Sequence, residues 1–188
     1  MKNLKLIAIT LAAFVTFSVN AQKTTKVDVK KSTINWVGKK VTGKHEGTIN
    51  LKEGNLIFNA KKLVGGNFTV DMTSINVTDL QGGSKEKLEG HLKADDFFGV
   101  DKFESSKLTF KKIAAKGKNK YTVTGDLTIK NKTNEVVFDI VVAEKTATTT
   151  VVIDRTKYDI KYGSGSFFDG LGDKAINDEF TLNVVLAF

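Results

Sequence analysis

Cysteine and proline are both missing from the 188-residue chain, histidine occurs twice, and arginine occurs once, at Arg155, against 29 lysines and arginines together. Without cysteine there are no disulfides and no thiol chemistry, and a lipid anchor through an N-terminal cysteine is excluded; stability has to come from packing and strand pairing. Two histidines with no cysteine make a poor metal set, because zinc normally takes three or four protein ligands. A chain that otherwise uses lysine has placed one guanidinium at Arg155, which implies a position that needs a planar fork of donors rather than a point charge. Long apolar runs are scarce too. The single one, Leu6 to Val19, is shorter than the roughly 18 residues a membrane span requires.

That run follows Lys2 and Lys5 and precedes Val19-Asn20-Ala21, the order of a secretory signal with a small-residue cleavage site. Residues 1–21 are therefore expected to be removed, leaving a periplasmic or secreted protein that begins at Gln22 and forms one domain over 22–188. The formal charge of +8 becomes +6 when Lys2 and Lys5 leave. The remaining lysines are interleaved with Asp and Glu rather than gathered on one face, so no nucleic-acid surface is expected. Transient contact with an anionic membrane surface is compatible with the charge.

From about residue 26 the pattern has period two, the mark of strands with one buried face. Ile34 and Trp36 alternate with Thr33 and Asn35, and Phe68, Val70 and Met72 with Asn67, Thr69 and Asp71. Leu108 and Phe110 continue it, as do Tyr121 to Ile129, Val136 to Val142, and Phe180 to Phe188. Turn chemistry is expected at Glu53-Gly54-Asn55, Gly65-Gly66-Asn67, Gly117-Lys118-Asn119 and Lys130 to Asn134. About eight antiparallel strands joined by short turns predict an all-β closed barrel, the size that can hold one small ligand; a sandwich is the competing architecture. Closure leaves no sheet edge to protect, which fits the missing proline. Residues 84–93 are the exception, with Ser84 as a cap and Leu88 and Leu92 on one face of a short helix. Gly163 to Asp178 is too irregular for a strand.

Ser32 to Trp36, Gly43 to Ile49, Gly65 to Phe68 with Val70 to Met72, Leu88 to Phe98, Val123 to Ile129, Ile153 to Arg155 and Tyr158 to Tyr162 stand in an order that resembles the YceI-like family. This is a family of exported, lipocalin-like barrels associated with long isoprenoid lipids. The resemblance implies an apolar cavity for a quinone or polyprenyl lipid, held for carriage, storage or sequestration. Candidates for its lining are Trp36, Phe68, Phe97, Phe98, Phe110, Phe138, Phe167, Phe168 and Leu182, with Phe97-Phe98 as an aromatic plug. His45, His91 and Arg155 are candidates for polar contacts with a head group. Each histidine could equally be a buried ring satisfying a backbone carbonyl, and Arg155 a strut paired with a carboxylate from another strand. Asp95 and Asp96 read as caps of the turn into Phe97.

No Gly-x-Ser-x-Gly elbow, phosphate loop or calcium loop is present, so no catalytic or metal residues and no cofactor are expected. Two other readings stay open: an enzyme acting on such a lipid, and a structural or stress-protective barrel with a filled interior. The partner expected is a hydrophobic small molecule, bound by a monomer or homodimer.

Overall fold

The computed structural model describes residues 21–188, so the signal reading of residues 1–21 falls outside it except for Ala21. The described chain folds into nine strands and one α-helix. In order these are β1 (Gln22–Lys26), β2 (Thr33–Lys40), β3 (Gly43–Asn59), β4 (Lys62–Val77), α1 (Gly82–Lys93), β5 (Ser105–Gly117), β6 (Lys120–Ile129), β7 (Lys132–Val142), β8 (Thr146–Asp154) and β9 (Ile176–Ala187). Neighbours run β2-β9-β8-β7-β6-β5-β4-β3, and β3 pairs back onto β2, closing an eight-stranded antiparallel barrel. The long β3 has room for two partners on that side: β2 takes its first half, with Trp36 opposite Gly47, and β1 its second, with Lys26 opposite Asn55.

Alternation decides the faces. In β6, Tyr121, Val123, Leu127 and Ile129 are buried while the threonines between them are half-exposed. The β6–β7 turn has positive φ at both Lys130 (49°) and Asn131 (58°), the pair of values a type I′ hairpin turn needs.

Two expected turns prove to be strand interior. Glu53-Gly54-Asn55 lies within β3 and Gly65-Gly66-Asn67 within β4; the chain reverses between them at Ala60-Lys61, with Ala60 at φ 54°. The glycines serve packing instead. A Cβ on Gly54 would stand 2.6 Å from the Phe68 ring, and one on Gly66 2.8 Å from the Phe110 ring. The helix also starts earlier than expected, at Gly82, and its N-cap position is Gln81, which makes no side-chain cap bond, rather than Ser84. Two of its ties to the sheet are polar: Glu89 Oε1 accepts from Val77 N (2.8 Å) and Lys85 Nζ donates to Asn76 Oδ1 (2.8 Å). Asp95 pairs with Lys102 at 2.6 Å.

One seam of the wall is short. Strands β7 and β8 are 11 and 9 residues long but share only the pairs Ile140↔Thr149, Val141↔Thr148 and Val142↔Ala147. Side chains fasten the rest: Thr149 Oγ1 donates to Asp139 O (2.7 Å) and Asn134 Nδ2 to Lys157 O (2.9 Å).

Candidate functional site

The barrel is hollow. On β9, Phe180, Leu182 and Val184 occupy the inward phase yet are only half-buried, as are Trp36, Val70, Leu108 and Phe110 on the strands around them. In a filled core such side chains reach the burial of Ile140 or Val123. They face instead a cavity of about 180 Å³ that runs from Ile34 and Leu186 near one end to Phe97, Phe98 and Arg155 at the other. The end near Ile34 is stopped by Val27, Leu56 and the Phe58–Phe188 pair, whose rings lie 5.8 Å apart. The helix-bearing end is covered by Leu92, Phe97 and Phe98, with Phe98 edge-on to Phe180 at 6.2 Å.

The wall is apolar almost throughout, and its aromatic belt is continuous: Phe68 to Phe110 at 5.4 Å and Phe110 to Phe138 at 5.8 Å. Water gains little in such a space because it finds few partners. At roughly 24 cal/mol per Å³, leaving a cavity of this size empty costs on the order of 4 kcal/mol. An apolar occupant relieves that cost.

Three polar groups of the wall, Arg155, Asn177 and Glu179, gather at one place. Asn177 and Glu179 line the cavity and, with Ile176, also line an open surface groove formed by Gly165, Ser166 and Ala175. This shared stretch of β9 is where cavity and groove come together, and we take it as the mouth. Ser106, Lys107 and Thr149 are the other polar wall residues besides Arg155. No sequence signal marked them: Asn177, Glu179 and Lys107 belong to the outward phase of their strands and reach the cavity at its edge.

Of the three polar candidates, Arg155 alone reaches the cavity wall. It opens a 3₁₀ turn, Arg155–Tyr158, at the end of β8 and is 2% exposed. Its guanidinium donates to Ile160 O (2.8 Å), Asn177 O (3.0 Å) and Ile176 O (3.0 Å), lies 3.6 Å from Asp178 Oδ1, and sits 5.7 Å from the centre of the Phe97 ring. The carboxylate partner comes from another strand, and the fork is spent on backbone. Burial opposes ionisation of Asp178, yet the Ser164 and Ser166 hydroxyls and the Arg155 charge outweigh it, and its pKa is lowered.

The histidines stand elsewhere. His45 Nδ1 meets Asp79 Oδ2 at 2.8 Å, away from the cavity wall. His91 packs edge-on against Tyr162 (4.4 Å) and Phe97 (5.4 Å), its Nε2 buried without a partner among the described residues. Phe167 and Phe168 are 49% and 51% exposed, on the connection from β8 to β9. The structure thus corrects their expected place in the lining, because that connection folds outward over the groove. Trp36, Phe68, Phe97, Phe98, Phe110, Phe138 and Leu182 do face the cavity. Among the described residues no group of three His, Asp or Glu side chains is placed to hold a metal ion.

At the end of the turn that Arg155 opens, Tyr158 is 1% exposed, and its hydroxyl has no hydrogen-bond partner among the described residues. Burial, helped by the charge of Asp154, pushes its phenol up to about 12, against about 10 in an unfolded chain. Its contribution is intact below about pH 10 and is lost as the pH rises toward 12. Urea melts across this range should show a stability loss of roughly 2–3 kcal/mol in the wild-type chain that is absent in Tyr158→Phe. Equal slopes in the two proteins would refute this.

The sequence matches the YceI-like domain over residues 26–188, from the end of β1 through the last strand. The chain belongs to the YceI-like domain family. Among solved structures, this YceI-like chain superposes on BcnA of Burkholderia cenocepacia with a TM-score of 0.72 at 25% identity, covering 86% of this chain and 99% of that one. A polyisoprenoid-binding domain from Saccharophagus degradans, implicated in plant cell wall breakdown, matches at 0.58 and 14% identity over 86% and 95% of the two chains; this likeness shows the fold alone. A UPF0312 protein of Staphylococcus aureus (strain USA300) is 42% identical over 72 residues, which are 38% of this chain and 36% of that relative's length.

Proposed function

We propose that this YceI-like barrel binds an elongated apolar lipid of the isoprenoid class, for carriage, storage or sequestration, and performs no chemistry on it. The observation that carries the reading is the hollow, aromatic-belted interior with few polar groups, three of which, Arg155, Asn177 and Glu179, stand together at the mouth. Each methylene removed from water contributes roughly 0.8 kcal/mol, so a repeating hydrocarbon tail gains affinity from a wall that makes no directional contacts. The Saccharophagus relative's polyisoprenoid binding supports the same class. A filled structural barrel is disfavoured by the half-buried inward side chains of β9. An enzyme would need an acid–base pair convergent on the tail, and the wall offers apolar groups there. Export with cleavage before Gln22 belongs to the same reading, on the strength of Lys2, Lys5 and the run Leu6 to Val19.

Mass spectrometry of organic extracts from natively purified protein should find an isoprenoid lipid. Leu182→Trp extends an indole into the cavity and should weaken binding of a fluorescent polyprenyl probe at least about tenfold, one 1.4 kcal/mol step, with the fold retained by circular dichroism. A wild-type protein that takes up no isoprenoid, bare or probe-linked, removes the proposal.

A further inference from the structure

The mouth at Ile176 to Glu179 lies between two projecting pieces of chain. One is the β2–β3 hairpin, whose tip is tied to the groove by a hydrogen bond from Val41 N to Ala175 O (3.2 Å). The other is the β8–β9 connection, whose Ser164 is fully buried and accepts from the backbone N–H of both Phe167 (3.1 Å) and Phe168 (3.0 Å). The two phenylalanines are therefore displayed from an anchored turn. Among the described residues, the three exposed aromatic side chains, Tyr162 (48%), Phe167 (49%) and Phe168 (51%), all lie on this connection, and the hairpin adds Val41 at 64%. Large apolar side chains clustered around an opening mark an interaction surface.

The charge around them indicates what that surface meets. The hairpin carries Lys39, Lys40 and Lys44 against Glu46. On the connection, Lys157, Lys161 and Lys174 are balanced by Asp159, Asp169 and Asp173, and Lys161 Nζ lies 3.2 Å from Asp159 Oδ1 and 5.0 Å from the centre of the Phe167 ring. The connection is thus neutral and the cationic excess sits on the hairpin, with Glu179 at the mouth between them. Exposed aromatics beside a lysine-bearing hairpin match the interfacial zone of an anionic bilayer, where rings settle at head-group depth and lysines meet lipid phosphates.

We propose that the helix-bearing end of the barrel docks on an anionic phospholipid bilayer through Val41, Tyr162, Phe167 and Phe168, with Lys39, Lys40 and Lys44 at the head groups, so that the mouth faces the lipid. The inference rests on the lipid-binding reading, because it supplies the route by which an insoluble ligand reaches the cavity. Docking itself needs no isoprenoid, and this makes the two separable.

Flotation with phosphatidylcholine–phosphatidylglycerol vesicles should recover the full chain, and pure phosphatidylcholine or high salt should release it. Lys39→Gln with Lys40→Gln should weaken the association about fivefold per lysine. Phe167→Ser with Phe168→Ser should weaken it by roughly tenfold or more and should slow isoprenoid uptake from vesicles, while uptake from cyclodextrin stays at the wild-type rate. Unchanged urea midpoints establish that the exposed substitutions leave the fold intact. A wild-type chain that takes isoprenoid from cyclodextrin but ignores anionic vesicles overturns the docking and leaves the lipid-binding reading standing. A chain that docks but binds no isoprenoid does the opposite. A dimer in sedimentation that the double serine variant converts to monomer, without vesicle binding by either, would assign the rim to a second copy of the chain and overturn the proposal.

Discussion

Arg155→Lys should unfold at a clearly lower urea concentration than the wild-type chain, with a loss of about 3 kcal/mol, although it keeps the positive charge. The guanidinium serves three carbonyls that lie in different directions, at Ile160, Ile176 and Asn177. It thereby joins the end of β8 to the start of β9 across the turn that follows Tyr158. A lysine ammonium can reach one or two of these oxygens at a time, and a buried hydrogen bond to a charged donor contributes roughly 1.5–3 kcal/mol. Arg155→Met, which leaves all three unserved beside Asp178, should fall further still. Equilibrium urea melts with an unchanged slope are the measurement. A loss under about 1 kcal/mol, together with selective loss of ligands bearing a quinone or phosphate end, would return Arg155 to the role of head-group contact.

Gly47→Ala should be comparably damaging, at about 3 kcal/mol or more, for the opposite reason: too many atoms. Gly47 is buried on β3 between Trp36 of β2 and Val77 of β4. A Cβ there would fall inside contact distance of the Asn76 carbonyl oxygen and 2.6 Å from the Trp36 ring. Neither can retreat easily, because the oxygen is backbone and the indole is held by its Nε1 donating to Thr48 O at 3.2 Å. Gly83→Ala, on α1 with open space around the new methyl, is the matched control and should change stability by less than about 1 kcal/mol. A Gly47→Ala melt close to wild type would show that the seam joining β2, β3 and β4 can shift to make room.

Period-two alternation was enough to read the strands and the inward phase, since the inside of a small closed wall is apolar whether it is filled or hollow. For the same reason it could not show that Phe180, Leu182 and Val184 border empty space; only the distance across the barrel does that. Glycine misled the turn assignments at Gly54 and Gly66 because a missing side chain looks the same in sequence whether it permits a bend or leaves room for the rings of Phe68 and Phe110. The lone arginine did mark a place needing several donors, but the acceptors turned out to be backbone carbonyls, which no residue type announces. Phe167-Phe168 were expected in the lining although they lie in the irregular stretch Gly163 to Asp178, where no strand phase assigns a face. Their outward display depends on Ser164 anchoring the turn, a contact that sequence does not encode as a pattern.

The β7–β8 seam gives the barrel wall uneven resistance to partial unfolding. Ten residue pairs hold β6 to β7, whereas three pairs and one side-chain bond hold β7 to β8, with a second bond from Asn134 to the turn that follows β8. The free energy of a local opening follows the ladder bonds and apolar contacts that must be broken, so the barrel parts first at the three pairs between Ile140–Val142 and Ala147–Thr149, extending the stretch already without ladder pairs between residues 135–139 and 150–154. That opening bares the backs of Phe138 and Val151 and two rows of strand amides edged by the already exposed Val137 and Val152. Unpaired amides bordered by β-branched side chains readily recruit a strand from a neighbouring molecule. Aggregation of this fold under mild stress is therefore governed by the rate at which one seam opens, and a substitution elsewhere that raises global stability leaves that rate largely untouched.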